Sequence, residues 1–192
     1  MLRSLYDWTM SLAAHPRALW ALAIIAFIES SVFPIPPDAL MIPMIIAAPR
    51  RAFLIAGVAT VASVLGGMLG YAIGAFAYES IGQPILASLG KADAMAEFNA
   101  RFNELGIWAV LIAGFTPFPY KVITIMSGWT GLSLPVFMAA SVASRSARFF
   151  LVGVLLYHYG APVRDFIERR LGLVTVAFTV LLIGGFYALR FL

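Results

Sequence analysis

The chain has 192 residues, of which 62% are hydrophobic and 11% charged, with a formal net charge of +4. Its mean hydropathy of +0.94 is far above that of soluble domains of this size, so the composition predicts an integral membrane protein. The absence of cysteine excludes disulfides, thiolate metal sites and thiol nucleophiles. No basic run is interleaved with stacking aromatic residues, which argues against a nucleic-acid partner.

The first third of the chain is apolar but interrupted. Residues 1–15 mix apolar and charged side chains, which suits the headgroup level of a membrane. Residues 17–32 are too few to cross the hydrocarbon, which needs roughly 20 helical residues, and 39–48 are fewer still. Prolines, which disfavour helix, separate these two arms: Pro34, Pro36 and Pro37. Residues 17–49 are therefore predicted to form a re-entrant helical hairpin with both ends on one face.

A long apolar segment follows, and then a polar interval. Residues 52–78 are long enough to cross, and three glycines spaced four apart let another helix approach closely in lipid: Gly66, Gly70 and Gly74. The hairpin and this span form a first repeat, 17–78. Residues 79–105 carry apolar side chains at helical spacing and predict an interfacial amphipathic helix.

The second half repeats the arrangement. Residues 106–131 are predicted to form a second hairpin, with Pro117 and Pro119 at its tip, and 134–158 a second span, so that 106–158 is a second repeat. Residues 172–192 contain a third span. The whole chain is thus expected to be one all-α membrane domain.

The distribution of Lys and Arg predicts the orientation. One face of this layout receives seven cations and the other three. The first set is Arg3, Arg17, Arg50, Arg51, Arg164, Arg169 and Arg170, and the second is Lys91, Arg101 and Arg190. Because cytoplasmic loops hold the excess of basic residues, the N-terminus is predicted to be cytoplasmic. Two hairpins open to opposite faces then form an inverted repeat, as in many secondary transporters.

Five ionisable residues lie at membrane depth in this layout: Glu29, Asp38, Lys121, Arg145 and Arg148. Ionisable groups in lipid face the protein interior and one another, so these five are the candidate substrate-binding and translocation residues. Arg145 and Arg148 are three apart and share a helix face, so one anionic group could meet both. A low-dielectric cavity favours the protonated carboxyl form, which makes proton coupling through Glu29 or Asp38 a hypothesis.

At these residues the chain resembles the DedA family, also called the VTT-domain or SNARE-associated Golgi protein family, over residues 15–160. The resemblance is carried by Glu29, by the Pro36-Pro37-Asp38 sequence and by residues 115–121. Where the family often has Arg-Phe-x-Pro-x-x-Arg, Gly114 takes the place of the first arginine, and Lys121 falls one residue beyond the second. The resemblance implies two opposed re-entrant hairpins, lipid movement across the bilayer and a link to the proton motive force.

These observations together predict a flippase or scramblase for a phosphate-bearing lipid, such as a polyprenyl phosphate or a phospholipid, in a bacterial inner membrane. No catalytic residue, metal or cofactor is expected, and a homo-oligomer is left open. An intramembrane lipid-phosphate hydrolase is the alternative, with Glu29, Asp38, Thr116, Ser127 and Ser144 as its membrane-depth candidates for nucleophile or base. A proton-coupled small-solute exporter would fit the acids but not the surplus of bases.

Overall fold

A computed structural model describes residues 17–31, 36–88, 92–116 and 119–188, with the backbone alone at 87, 92–94, 161 and 163–188. In chain order the elements are α1 (Ala18–Glu29), α2 (Asp38–Ala47), a 3₁₀ turn (Pro49–Arg51), α3 (Ala52–Ala77), a π-helical turn (Tyr78–Gly82), α4 (Gln83–Ser88), α5 (Ala92–Phe115), α6 (Tyr120–Trp129) and α7 (Leu134–Ala188). No β-strand occurs in these ranges, so the all-α prediction is confirmed.

Among the described residues, two helical stretches are long and apolar enough to cross a membrane. They are Pro49–Leu86, of 38 residues, and Leu134–Gly160, of 27 residues. They contain the predicted spans at 52–78 and 134–158. The predicted third span at 172–192 is helical as far as residue 188, and its side chains lie outside the described part of the chain.

The helices beside the two proline stretches are short. α1 has 12 residues, and α2 and α6 have 10 each, so they are about 15–18 Å long against a hydrocarbon core of about 30 Å. Pro37 precedes the first residue of α2, and Pro119 precedes that of α6. Pro34 and Pro117 lie outside the described residues, as does the predicted interfacial segment 1–15. The re-entrant course of the hairpins remains a prediction.

Three helices extend beyond the predicted segments. α3, which covers the predicted span 52–78 as far as Ala77, continues through the π-helical turn into α4. α5 runs unbroken through residue 105, so the amphipathic segment and the first arm of the second hairpin are one helix. α7 likewise has no break between 158 and 172. Polar residues alone do not end a helix, because Arg, Glu and Lys are good helix formers in water.

α3 and α7 pack against each other and form the centre of the fold. α1 packs against α3, the next long helix along the chain, whereas α2 packs mainly against α7. In the second half α5 packs against α7, and α6 crosses back to α3. In each half, then, the helix before the proline stretch packs against the long helix of the same half. The helix after the proline stretch packs against the long helix of the other half. This exchange is compatible with the predicted inverted repeat, which stays a prediction.

The glycine row of α3 lies where other helices approach. A Cβ atom built on Gly66 would collide with the Phe27 carbonyl of α1, and one built on Gly74 with the Ile125 carbonyl of α6. Gly70 lies against the Thr124 hydroxyl of α6, and its added Cβ would be 3.3 Å from the Ser30 carbonyl. The glycine row therefore lets α1 and α6 contact the α3 backbone. Both helices meet α3 on the same side, where Ser30 at the end of α1 lies close to α6.

Gly74→Ala is expected to lower the free energy of unfolding by about 1–3 kcal/mol, because the new methyl group would overlap backbone atoms of α6 that cannot rotate away. Gly57→Ala on the same helix is the matched control, since no atom of the described residues lies within 4 Å of its added Cβ. The control should be neutral or stabilising by up to about 1 kcal/mol, the helix propensity difference. Thermal unfolding in detergent would check both, and equal behaviour would contradict the packing described.

Candidate functional site

Four of the five membrane-depth charges form two ion pairs on α7. Arg145 Nη2 lies 3.0 Å from Glu29 Oε2 at the end of α1, and Arg148 Nη2 lies 2.7 Å from Asp38 Oδ2 at the start of α2. The prediction that one anionic group could meet both arginines, which are three residues apart, stays a prediction. The two arginines bind separate carboxylates, one on each side of the first proline stretch.

The side chain of Arg145 is buried, with 3% of its surface exposed. Its Nε donates to Ser63 Oγ on α3 at 2.6 Å, in addition to the Glu29 contact. The guanidinium carbon lies 4.7 Å from the centroids of both the Tyr120 and Phe149 rings. An arginine between two aromatic faces is stabilised by cation–π attraction, which is strongest where water is excluded. Arg145 therefore joins α1, α3, α6 and α7 at one point.

Hydroxyl groups extend this junction. Ser30 Oγ and Ser63 Oγ are 2.7 Å apart, and Ser30 Oγ is also 3.1 Å from Glu29 Oε2. The Ser30 carbonyl accepts a hydrogen bond of 3.1 Å from Thr124 Oγ1 on α6. Tyr120 donates to Ser141 Oγ at 2.6 Å. Polar bonds between helices of this kind substitute for water in a bilayer and fix which helices meet.

Arg148 is placed differently, because 21% of its side chain is exposed. Its Nη1 donates to the carbonyls of Phe115 and Thr116, at 3.1 and 2.9 Å, and these belong to the end of α5 and the residue after it. Through Asp38 the same guanidinium holds the start of α2. Arg148 thus connects the first proline stretch to the second. Its Nε is buried without a hydrogen-bond partner among the described residues.

Lys121 is in the first turn of α6, next to Tyr120, and its side chain is partly buried. It follows the second proline stretch as Asp38 follows the first, so the two residues take corresponding positions in the two halves. Since α6 begins at Tyr120, the positive end of the helix dipole lies at this position.

The hydroxyls considered for the hydrolase alternative are engaged or enclosed. Thr116 donates to the Ile112 carbonyl at 2.7 Å and Ser144 to the Ala140 carbonyl at 2.7 Å, both on the preceding turn of helix. Ser127 is fully buried, and its hydroxyl bonds to none of the described residues. Glu29 and Asp38 are both paired with arginines. No observation here favours a nucleophile, and no group of three metal-ligating side chains occurs in the described ranges.

Sequence reasoning missed the residues that surround Arg145. Ser63 is a small polar residue within a largely apolar span, and that is a usable signal, since such residues bond across helices in lipid. Tyr120 and Phe149 gave no signal, because aromatic residues are common in membrane helices and their facing positions depend on how α6 meets α7. The carbonyls that Arg148 contacts cannot be identified from side-chain patterns.

Comparison with known proteins places this arrangement in a family. The model of the VTT domain matches residues 35–158, a range that includes Asp38, Lys121 and both arginines. An uncharacterized protein of Haemophilus influenzae is 34% identical over 187 residues, which is 97% of each chain. An uncharacterized protein of Histophilus somni is 38% identical over 149 residues, or 78% of each chain. No solved structure matches.

Proposed function

The chain belongs to the VTT-domain family, the DedA family of membrane proteins, and from this membership and the paired charges we propose that it moves a phosphate-bearing lipid across the bilayer. The observation that carries the proposal is the position of Arg148. One partly exposed guanidinium contacts both helix breaks, and its Nε bonds to none of the described residues. An arginine fork suits phosphate, because two parallel N–H bonds match two of its oxygens.

The two arginines have different roles in this proposal. Arg145 is enclosed by Glu29, Ser63 and two rings, so a headgroup would have to displace several buried contacts to reach it. We assign it to holding the helices together beside the site. Arg148 and Lys121, which are both partly exposed, would bind the headgroup. The site then keeps the excess of positive charge that an anionic lipid requires.

Asp38 would compete with the lipid phosphate for Arg148. Ionised Asp38 pairs with the Arg148 guanidinium. When the lipid phosphate displaces the carboxylate, or a proton neutralises it, the guanidinium becomes available to the phosphate. This competition provides a route for proton coupling. The lipid headgroup would pass between the two breaks while its acyl or prenyl chains remain in the bilayer, and rocking of the two halves would expose the site to each face in turn.

The location is proposed with the function. The matched relatives come from bacteria, and the surplus of arginines near 1–51 and 164–170 suggests a cytoplasmic N-terminus. The proposal therefore places the protein in the bacterial cytoplasmic membrane, with the lipid as its partner.

Translocation of a labelled polyprenyl phosphate or anionic phospholipid in reconstituted liposomes tests the proposal. Arg148→Ala should slow translocation about tenfold or more, the loss expected for charge-assisted hydrogen bonds, and Lys121→Ala should slow it less. Arg148→Lys should be intermediate, since it keeps the charge without the fork.

Arg101→Ala is the matched control, because Arg101 makes an exposed ion pair with Glu97 on α5, outside the site. It should leave the rate unchanged. Thermal unfolding of each variant separates loss of function from loss of fold. Unchanged translocation in both Arg148→Ala and Lys121→Ala would contradict the proposed function.

A further inference from the structure

A cavity of about 330 Å³ lies where α6 ends, away from the charged pairs. Its wall includes Tyr71, Tyr78, Glu79, Gln83, Trp129 and Thr130. The volume is at the lower end of the range of small-molecule sites. Neither Arg145 nor Arg148 contributes to the wall, so this cavity is distinct from the site described above.

Aromatic rings held by specific contacts form much of this wall. The Trp129 indole meets the Tyr78 ring edge-on, with centroids 5.3 Å apart. A Cβ built on Gly82 would lie 2.6 Å from Trp129 Cη2, so the indole packs directly against the backbone of the π-helical turn. Tyr71 donates to the Leu132 carbonyl at 2.6 Å, which anchors its ring on the opposite side. π-Helical turns are frequent at functional sites.

The described residues that line the cavity include one carboxylic acid, Glu79, and no Lys or Arg. α6 also ends here: Gly131, with φ of 68°, closes the helix, and the amide of Leu132 donates to the Ser127 carbonyl at 2.9 Å. The negative end of a helix dipole therefore points toward the same space as the carboxylate.

We infer that this cavity binds an organic ammonium group. A carboxylate beside Trp and Tyr rings is the environment that recognises alkylammonium and quaternary ammonium ions, because the ring faces attract a cation and tolerate its alkyl substituents. A metal ion fits less well, since among the described residues no group of three ligating side chains surrounds one.

The position of the cavity along α3 allows two sources for the ammonium group. α3 starts beside Arg50 and Arg51, and its 26 residues span about 39 Å, which exceeds the hydrocarbon thickness of about 30 Å. The cavity therefore lies near the headgroup level of the opposite face. An amine-bearing lipid headgroup and a soluble amine both present the required chemistry there.

Isothermal titration calorimetry tests the inference. Choline chloride is titrated into the purified protein in detergent, and sodium chloride is the salt control. Saturable choline binding is expected in the unchanged chain. Glu79→Gln should weaken it about tenfold by removing the charged partner, and Trp129→Phe about threefold or more by weakening the cation–π contact.

Two control variants outside the cavity should bind as the unchanged chain does: Glu104→Gln, which removes another exposed acid, and Trp108→Phe, which removes an indole on α5. Absence of saturable choline binding, or equal affinity in Glu79→Gln and Glu104→Gln, would overturn the inference. Because Trp129→Phe keeps an aromatic ring against Gly82, it also separates binding from folding.

Native mass spectrometry then identifies the source. If the protein retains ethanolamine-headgroup lipid over glycerol-headgroup lipid, and Glu79→Gln loses that preference, the ammonium comes from a lipid. Choline binding without any lipid preference indicates a soluble amine. If Glu79-dependent choline binding is not observed, the inference is overturned for both sources, whatever the translocation assay shows.

Discussion

Arg145→Ala is expected to lower the free energy of unfolding by about 3–5 kcal/mol, because it leaves the Glu29 carboxylate, whose side chain is only 16% exposed, without its charged partner. The same substitution removes the donor to Ser63 and empties the space between the Tyr120 and Phe149 rings. Since these contacts reach four helices, the loss should appear as a cooperative decrease in thermal stability. Denaturation in detergent micelles measures it.

A double-mutant cycle separates the charge from the packing. Glu29→Gln combined with Arg145→Ala should be less destabilising than the sum of the two single changes, since the double variant carries no unpaired buried charge. Arg145→Lys should fall between the unchanged chain and Arg145→Ala, because lysine keeps the charge but lacks the planar group that stacks between the rings.

The surface pair provides the comparison for Arg145→Ala. Arg101 and Glu97 lie 2.6 Å apart, but their side chains are 76% and 65% exposed. Exposed pairs contribute about 0–1 kcal/mol, so Arg101→Ala should hardly change the unfolding temperature. If Arg145→Ala were no more destabilising than Arg101→Ala, the junction described here would not hold the fold together.

The sequence was sufficient to single out the four residues that form the two ion pairs. Glu29, Asp38, Arg145 and Arg148 stand out because ionisable groups within apolar segments are costly unless they meet one another. The proline stretches likewise predicted where the helices are interrupted. These inferences depend on local composition and on the properties of lipid, and both can be read from the chain.

The partners of each charge could not be predicted. The three-residue spacing places Arg145 and Arg148 on one face of α7 but does not decide which acid each one meets. That choice depends on where α1 and α2 lie along α7, and each acid is more than 100 residues from its arginine. The continuity of α5 through residue 105 and of α7 through residue 158 could not be predicted either, since a helix continues through polar residues in water as readily as it stops.

Asp38→Asn is expected to remove the dependence of lipid translocation on a proton gradient. Asp38 holds Arg148 at 2.7 Å when it is ionised, and a proton on the carboxyl weakens that pair. In the unchanged chain, a proton that the gradient delivers to Asp38 should therefore release Arg148 to the phosphate and couple translocation to proton movement.

The amide in Asp38→Asn mimics the released state at every pH. The amide oxygen of Asn would accept a hydrogen bond from Arg148, but a neutral acceptor makes a bond about half as strong as a charged one. Arg148 should therefore be released more readily, and translocation without a gradient should rise about fivefold. Flip assays in liposomes with and without an imposed pH gradient provide the measurement. A rate that still follows the gradient in Asp38→Asn would exclude Asp38 as the proton-dependent group.

Glu29→Gln is the matched control, because Glu29 pairs with the enclosed arginine rather than with the partly exposed one. Its translocation should keep the gradient dependence even where its stability falls. Gradient dependence retained in both amides would remove the two acids as proton carriers, and loss in Glu29→Gln alone would move the coupling to the Arg145 junction. Comparing the two amide variants therefore tests whether Arg145 is fixed and Arg148 can be released. Both pairs contain a guanidinium and a carboxylate, and they differ in how much of the arginine side chain is exposed.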